Sequence, residues 1–347
     1  LTHGGDWAGY RAQYGHDALD FSANVSPLGL PQGVANAIAA ALPHADRYPD
    51  PLCRALRAKL APHEGIPAES ILCGNGAADL IFRLAWAAKP RTALVTAPTF
   101  AEYAAALESA GCAVRRHFLQ AEVDFAVTDS ILSSITLEVD MVFLCQPNNP
   151  TGQLTPLPLV ERILRRCEAC GALLVVDECF LDFLPDCDAL TAKALLDSKN
   201  LLILKAFTKL YGMAGVRLGY CLCANTALLD AMQYTGQPWA VSSLAQAAGL
   251  AALDETAYVE QVRALIAAQR PRLASGLRAL GLRVLDGRAN YLLFQGPETL
   301  GETLRQKGVV LRSCANYPGL DGSWYRTAVR TAAENEQLLQ TLSEVFS

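Results

Sequence analysis

Through the first two-thirds of the chain, short apolar runs alternate with stretches whose apolar residues recur at helical spacing. The runs at 92–96, 113–118, 139–145, 172–176, 200–204 and 218–223 read as strands, as does the shorter one starting at Ile71. Helices are predicted over 77–88, 100–110 and 156–170, the last with Thr155 as N-cap and Pro156 at its first position. Strand followed by helix, repeated, predicts a mainly parallel sheet covered on both faces. Ahead of it, 33–42 reads as a short apolar helix and 51–61 as an amphipathic one. Residues 1–30 read as irregular, with turn formers at Asn24, Ser26, Pro27, Gly29 and Pro31. Beyond 225 the rhythm changes. Helical runs at 225–234, 241–253 and 255–280 precede short strands at 282–286 and 290–294, a helix at 298–307, strands at 309–312 and 324–329, and a closing helix at 334–345. The expectation is an α/β fold: an arm over 1–30, a large domain over 31–225, and an interdomain helix with a smaller α+β domain over 226–347.

Composition narrows the function. The chain has 347 residues, 52% of them hydrophobic, which suffices for one large or two ordinary cores. Its net charge is −5 and it carries no basic tail, so nucleic acid is not an expected partner. No apolar run reaches the roughly 18 residues of a membrane span, and the first residues lack a leader pattern. Eleven irregularly spaced cysteines do not resemble a disulfide framework, and a cytoplasmic, reducing setting is expected. Cys167 and Cys170 form a CxxC on a predicted helix, with no second pair and every histidine far earlier, so no metal site is expected.

Candidate chemistry gathers after strands. In parallel sheets ligands bind beyond the carboxyl ends of strands, and Asn149, Asp177 and Lys209 follow three different ones. Lys209 lies in a glycine-containing loop, with Arg217 eight residues on. A lysine at a sheet's mouth can be desolvated into a usable amine nucleophile, and an arginine can clamp a phosphate. Pyridoxal 5'-phosphate needs both. On that reading Asp177 pairs with the pyridine nitrogen, Asn149 with the ring hydroxyl, and Phe100 stacks on the ring, with Tyr103 as the alternative stacker. The turn and helix start at Gly76, Ala77 and Ala78 would offer backbone N–H groups to the phosphate. The glycines there do not make GxGxxG, which argues against a nicotinamide cofactor. Singly, each residue has a plain reading: a solvated lysine, a loop-capping aspartate, a turn asparagine before Pro150.

Together, GNG at 74–76, PTF ending at Phe100, NNPTG at 148–152, Asp177-Glu178, Thr208-Lys209 and Arg217 to Tyr220 resemble the fold-type I pyridoxal-phosphate enzymes of the aspartate aminotransferase superfamily, along the whole chain. The resemblance implies that Lys209 carries the cofactor, that Arg217 holds its phosphate, and that Tyr48, in RYPDP, reaches the phosphate of a neighbouring subunit, hence a homodimer with sites at its interface. Two branches fit, histidinol-phosphate aminotransferase and the threonine-phosphate decarboxylase of cobalamin biosynthesis. His3-Gly4-Gly5, the DFSANVSPLG segment at 20–29, Phe180 in place of a tyrosine, QPWAV at 237–241 and the segments around Tyr291, Arg312 and Arg326 resemble the decarboxylase. That branch implies Arg312 and Arg326 as anion grips, helped by His3, Asn24 and Asn149, with phosphothreonine or phosphoserine as substrate. The chain departs from the pattern at Ala206, Ala77 and Ala78, which lack the hydroxyls relatives carry, leaving the phosphate to Arg217, Tyr48, backbone amides and Thr208.

Overall fold

Thirteen strands are present among the described residues: β1 Leu19–Asp20, β2 Ile71–Gly74, β3 Thr92–Ala97, β4 Ala113–Phe118, β5 Met141–Cys145, β6 Leu173–Asp177, β7 Leu201–Ala206, β8 Gly219–Cys223, β9 Arg283–Val284, β10 Tyr291–Gln295, β11 Val309–Val310, β12 Arg312–Ser313 and β13 Trp324–Ala328. The computed structural model describes residues 3–346. Leu1, Thr2 and Ser347, at the outer ends of the expected arm and C-terminal part, lie outside the described residues.

The largest sheet has the order β2-β8-β7-β6-β5-β3-β4. Only β8 runs against its neighbours. Helices cover both faces, so both faces are apolar. Val142, Leu174 and Ile203 enter one core, while Phe143, Val175 and Leu202 enter another across the sheet. This is why the inner strands read as unbroken apolar runs rather than alternating ones, while the edge strand β4, AVRRHF, carries Arg115, Arg116 and His117. Because β8 is reversed, residues leading into it share a rim with the residues that leave β2, β3, β5, β6 and β7.

A second sheet, β12-β13-β10-β9, is antiparallel. It shares a core with the long helix Thr256–Ala279 and the closing helix Ala332–Phe346. The chain before it is tied in by β1, which pairs in parallel with β11.

Three details differ from the sequence expectation. Residues 7–14, expected to be irregular, form the helix Trp7–Tyr14. It has no strong apolar stripe and depends on tertiary contact: Tyr10 is buried, its hydroxyl donates to the Arg305 carbonyl at 3.1 Å, and the Arg305 guanidinium sits 5.1 Å from the Tyr10 ring centre. The helix expected at 51–61 is Arg54–Glu64, because the Asp50 carboxylate accepts from the backbone N–H groups of Leu52 at 3.0 Å and Arg54 at 2.7 Å and moves the start downstream. The run at 309–312 splits between two sheets, β11 toward the arm and β12 against β13. Among the described residues no helix is long and apolar enough to cross a membrane, and all eleven cysteines are free thiols.

Candidate active site

The rim of the large sheet encloses a cavity of about 110 Å³. Eight residues expected from the sequence line it: Ala77, Ala78, Phe100, Asn149, Asp177, Thr208, Lys209 and Arg217. Five more complete the wall: Tyr103, Cys145, Cys179, Phe180 and Ala206. Strand register explains the convergence. Cys145 pairs with Asp177 and Asp177 with Leu204, so the ends of β5, β6 and β7 lie side by side.

Lys209 is not in an open loop. It sits in a single helical turn, Phe207–Leu210, directly after β7. Its Nζ lies 5.7 Å from the Phe180 ring centre. Burial first, then the positive charges of Arg326 and Arg217, bring the amine down to about 8, against a partial opposing pull from Cys179 and Asp177. A neutral, nucleophilic amine is therefore accessible near physiological pH.

At the end of the cavity near Gly76 the backbone approaches closely. Gly76 has φ +81°, and a Cβ there would come within 2.7 Å of Arg217 Nη2. Gly219 is equally constrained, since its Cβ would meet the Ala77 amide nitrogen at 2.7 Å. Arg217 itself has φ +62°, a conformation that a non-glycine residue adopts at a cost, and its Nη1 donates to the Ala214 carbonyl at 3.0 Å. The guanidinium is thus pinned against the start of the helix Gly76–Ala88, where backbone N–H groups are unspent.

Buried amides staple the 146–155 segment. Gln146 donates to the Thr155 carbonyl at 2.7 Å and accepts from the Thr155 N–H at 2.8 Å. Asn148 accepts from the Thr99 hydroxyl at 2.8 Å and donates to the Pro98 carbonyl at 3.0 Å. This holds Asn149 at the cavity wall, where its oxygen accepts from Arg326 Nη1. Arg326 also donates to the Ser22 carbonyl at 2.9 Å, and the Asn24 amide, turned oxygen-inward, accepts from its Nε at 3.1 Å. The guanidinium rests 5.4 Å from the Tyr291 ring centre.

Arg312 lies opposite Arg326 in the β12–β13 register. It donates to Asn316 Oδ1 at 2.8 Å and faces the Tyr317 ring at 5.4 Å. His3 bonds Glu102 at 2.7 Å, its ring centre 6.0 Å from that of Phe100. Tyr48 is not at this cavity: it is 80% exposed and stacks on Trp239, ring centres 4.4 Å apart. Tyr103, weighed as a stacker, also lines the cavity; its ring is parallel to Phe143 at 4.8 Å and its hydroxyl donates to Asp177 Oδ2 at 2.5 Å. Sequence reasoning gave Tyr291 no role, although its segment was among those that resemble the decarboxylase.

The sequence model of the family described as aminotransferase class I and II matches residues 16–342. The chain belongs to this family. Within it, the chain is 40% identical over 333 residues to the threonine-phosphate decarboxylase of Salmonella typhimurium, covering 95% of this chain and 91% of that protein. It is 34% identical over 345 residues to a histidinol-phosphate aminotransferase of Desulfitobacterium hafniense, covering 95% of this chain and 92% of that protein. Among solved structures, the histidinol-phosphate aminotransferase of Clostridium acetobutylicum superposes with a TM-score of 0.88 at 27% identity, over 94% of this chain and 98% of that one. Members of the aminotransferase family use pyridoxal phosphate, and the donor set here fits it: a depressed lysine amine, a carboxylate, an amide at the wall, and a cradle at Gly76 that any side chain would fill.

Proposed function

We propose that the chain is a pyridoxal-phosphate-dependent carboxy-lyase that converts O-phospho-L-threonine to CO₂ and (R)-1-aminopropan-2-yl phosphate, a building block of the cobalamin nucleotide loop. The observation that carries this reading is the pairing of two buried arginines, Arg312 and Arg326, in one strand register beside the cavity, in a chain 40% identical to a threonine-phosphate decarboxylase. A phosphorylated amino acid presents two anions, and two guanidiniums suit such a ligand.

Bound pyridoxal phosphate supplies an electron sink for the pair released when a Cα bond breaks. Lys209 is the covalent anchor, its amine already partly neutral near pH 8. Asp177 faces the pyridine nitrogen, Asn149 the ring hydroxyl, and Phe100 a ring face. Arg217, Thr208 and the N–H groups at Gly76, Ala77 and Ala78 take the cofactor's phosphate. Arg312 and Arg326, with His3 and Asn24, would take the substrate phosphate and leave the carboxylate without an arginine partner. Lys209, released as a free amine when the substrate amine takes its place, would carry the proton that replaces the carboxylate at Cα.

The assembly we infer is a homodimer in which Tyr48 reaches the other subunit's phosphate. Its support is the exposure of Tyr48 with Trp239, Tyr234 and Leu52, an apolar patch that a second copy would cover. We take 1–30 as an arm, 31–225 as the cofactor domain and 226–347 as the interdomain helix and small domain, and the free thiols support a cytoplasmic setting.

The deciding experiment supplies cofactor-loaded protein with phosphothreonine and no keto acid, and follows CO₂ over many turnovers. Sustained release is expected, with phosphoserine as comparison, since one methyl contributes only about 1–3 kcal/mol of discrimination. The 34% identity to a histidinol-phosphate aminotransferase favours a second reading. Amino-group exchange between histidinol phosphate and 2-oxoglutarate, without CO₂ release from phosphothreonine, would replace the first by the second.

A further inference from the structure

We propose that Tyr103 is a positioning residue that aims the Asp177 carboxylate at the cofactor's ring nitrogen; this rests on the reading of Asp177 given above. Asp177 has two oxygens, and each carries one fixed donor. The Cys179 N–H donates to Oδ1 at 3.0 Å, and the Tyr103 hydroxyl donates to Oδ2 at 2.5 Å. Two donors from different elements lock both torsions of a short side chain, leaving the remaining lone pairs to face the cavity that Asp177 lines.

The tyrosine is itself immobile. It is fully buried, its ring lies parallel to Phe143 of β5 at 4.8 Å, and it meets Phe100 edge-on at 5.5 Å. Burial, and next the Asp177 charge, push its hydroxyl well above the ordinary range, so it is a donor at neutral pH. One segment thus provides two services: Phe100 forms the wall and Tyr103, three residues on, holds the carboxylate behind it.

Tyr103→Phe keeps the packing and deletes only the donor. The test is a double-mutant cycle on apoprotein of Tyr103→Phe, Asp177→Ala and their combination. It reads the cofactor dissociation constant by fluorescence titration, and the ¹⁵N chemical shift of the bound ring nitrogen. A thermal melt of each apoprotein confirms folding. Tyr103→Phe is expected to weaken cofactor binding about tenfold, the scale of a hydrogen bond to a charged group. It should also move the ring-nitrogen signal toward the unprotonated position. In the Asp177→Ala background the same change should have no effect on either readout. Equal penalties in both backgrounds would make Tyr103 merely structural and overturn the proposal. So would wild-type behaviour of Tyr103→Phe beside a clear defect in Asp177→Ala, which would leave the reading of Asp177 standing. If Asp177→Ala itself changes neither readout, the role of Asp177 falls and the proposal with it.

Discussion

Lys209 shows how a single residue type acquires chemistry from its surroundings. Seven lysines occur in the chain. Lys205, only four positions earlier and also buried, is driven the opposite way, well above the usual lysine range. Its burial is outweighed by Asp182 at 2.8 Å and Glu64 at 3.8 Å. Lys209 faces arginines instead, and burial wins, bringing it to about 8. The sign follows directly: below about pH 8 the Lys209 amine is mostly protonated and unreactive, above it mostly neutral. Labelling of apoprotein with a neutral amine reagent, read peptide by peptide, should therefore accelerate about tenfold per unit up to about pH 8 at Lys209 and then level off. A rate at Lys209 that still climbs toward pH 10.5, as for an ordinary lysine, would show that the amine is not depressed.

Between elements, one contact joins the two sheets and another fixes a helix to the large one. Gly152 and Gly287 touch backbone to backbone: a Cβ on Gly287 would lie 2.7 Å from Gly152 Cα and from the Thr151 carbonyl oxygen, while the Arg288 N–H donates to the Gly152 carbonyl at 2.7 Å. Gly287→Ala should destabilise by about 1–3 kcal/mol. It should also raise KM more than it lowers kcat, because the loop it displaces presents Asn149 to Arg326. Urea melts and steady-state kinetics together would check this; an unchanged melt would mean that the loops part without cost. The second contact is buried charge. The helix Arg54–Glu64 ends on Glu64, which accepts from Lys193 at 2.9 Å and from the Tyr220 hydroxyl. Burial alone would raise the Glu64 carboxyl, but Lys205, then Lys193 and Tyr220 overcome it and hold it at about 2. A depressed carboxyl stabilises the fold above its unfolded value near 4.5 and loses that contribution as pH falls toward 2. The stability gap between wild type and Glu64→Gln should be on the order of 3 kcal/mol near neutrality and close through that window. A gap that does not depend on pH would exclude the ionised carboxylate as its source. Glu178, pushed up to about 7 by burial, acts in the opposite direction in the adjoining window above 4.5, where its contribution is lost as pH rises, so the comparison must be with the variant and not with the absolute curve.

For the whole molecule, the proposed dimer makes a prediction that no single protomer can. Lys209→Ala removes the anchor from its own site, and Tyr48→Ala weakens the site of its neighbour. Mixed and refolded together, the inactive and the weakened variant should give more activity than the two measured apart, since a heterodimer contains one site with an intact Lys209 and an intact Tyr48. Sites confined to one chain would give no recovery. The stacking of Tyr48 on Trp239 gives the exposed ring a fixed direction before any partner arrives, which lowers the ordering cost of association.

The strand pattern along the chain was enough to place all seven strands of the large sheet as separate elements, and the residues just after them as a common rim. A strand end in a parallel sheet has one place to go, and polar side chains there face the same opening. Local pattern could not say that β8 runs backwards, although this is what brings Arg217 onto the rim, because strand direction depends on partners distant in the chain. Nor could it distinguish Tyr103 from Phe100, two aromatics three positions apart; only packing set the Tyr103 ring on Phe143 with its hydroxyl on Asp177. The helix Trp7–Tyr14 and the opposite fates of Lys205 and Lys209 were decided in the same way. Residue identity and spacing determined which groups exist and roughly where each element begins. Burial and neighbouring charge, which act across folded distance and not along the sequence, determined what those groups can do.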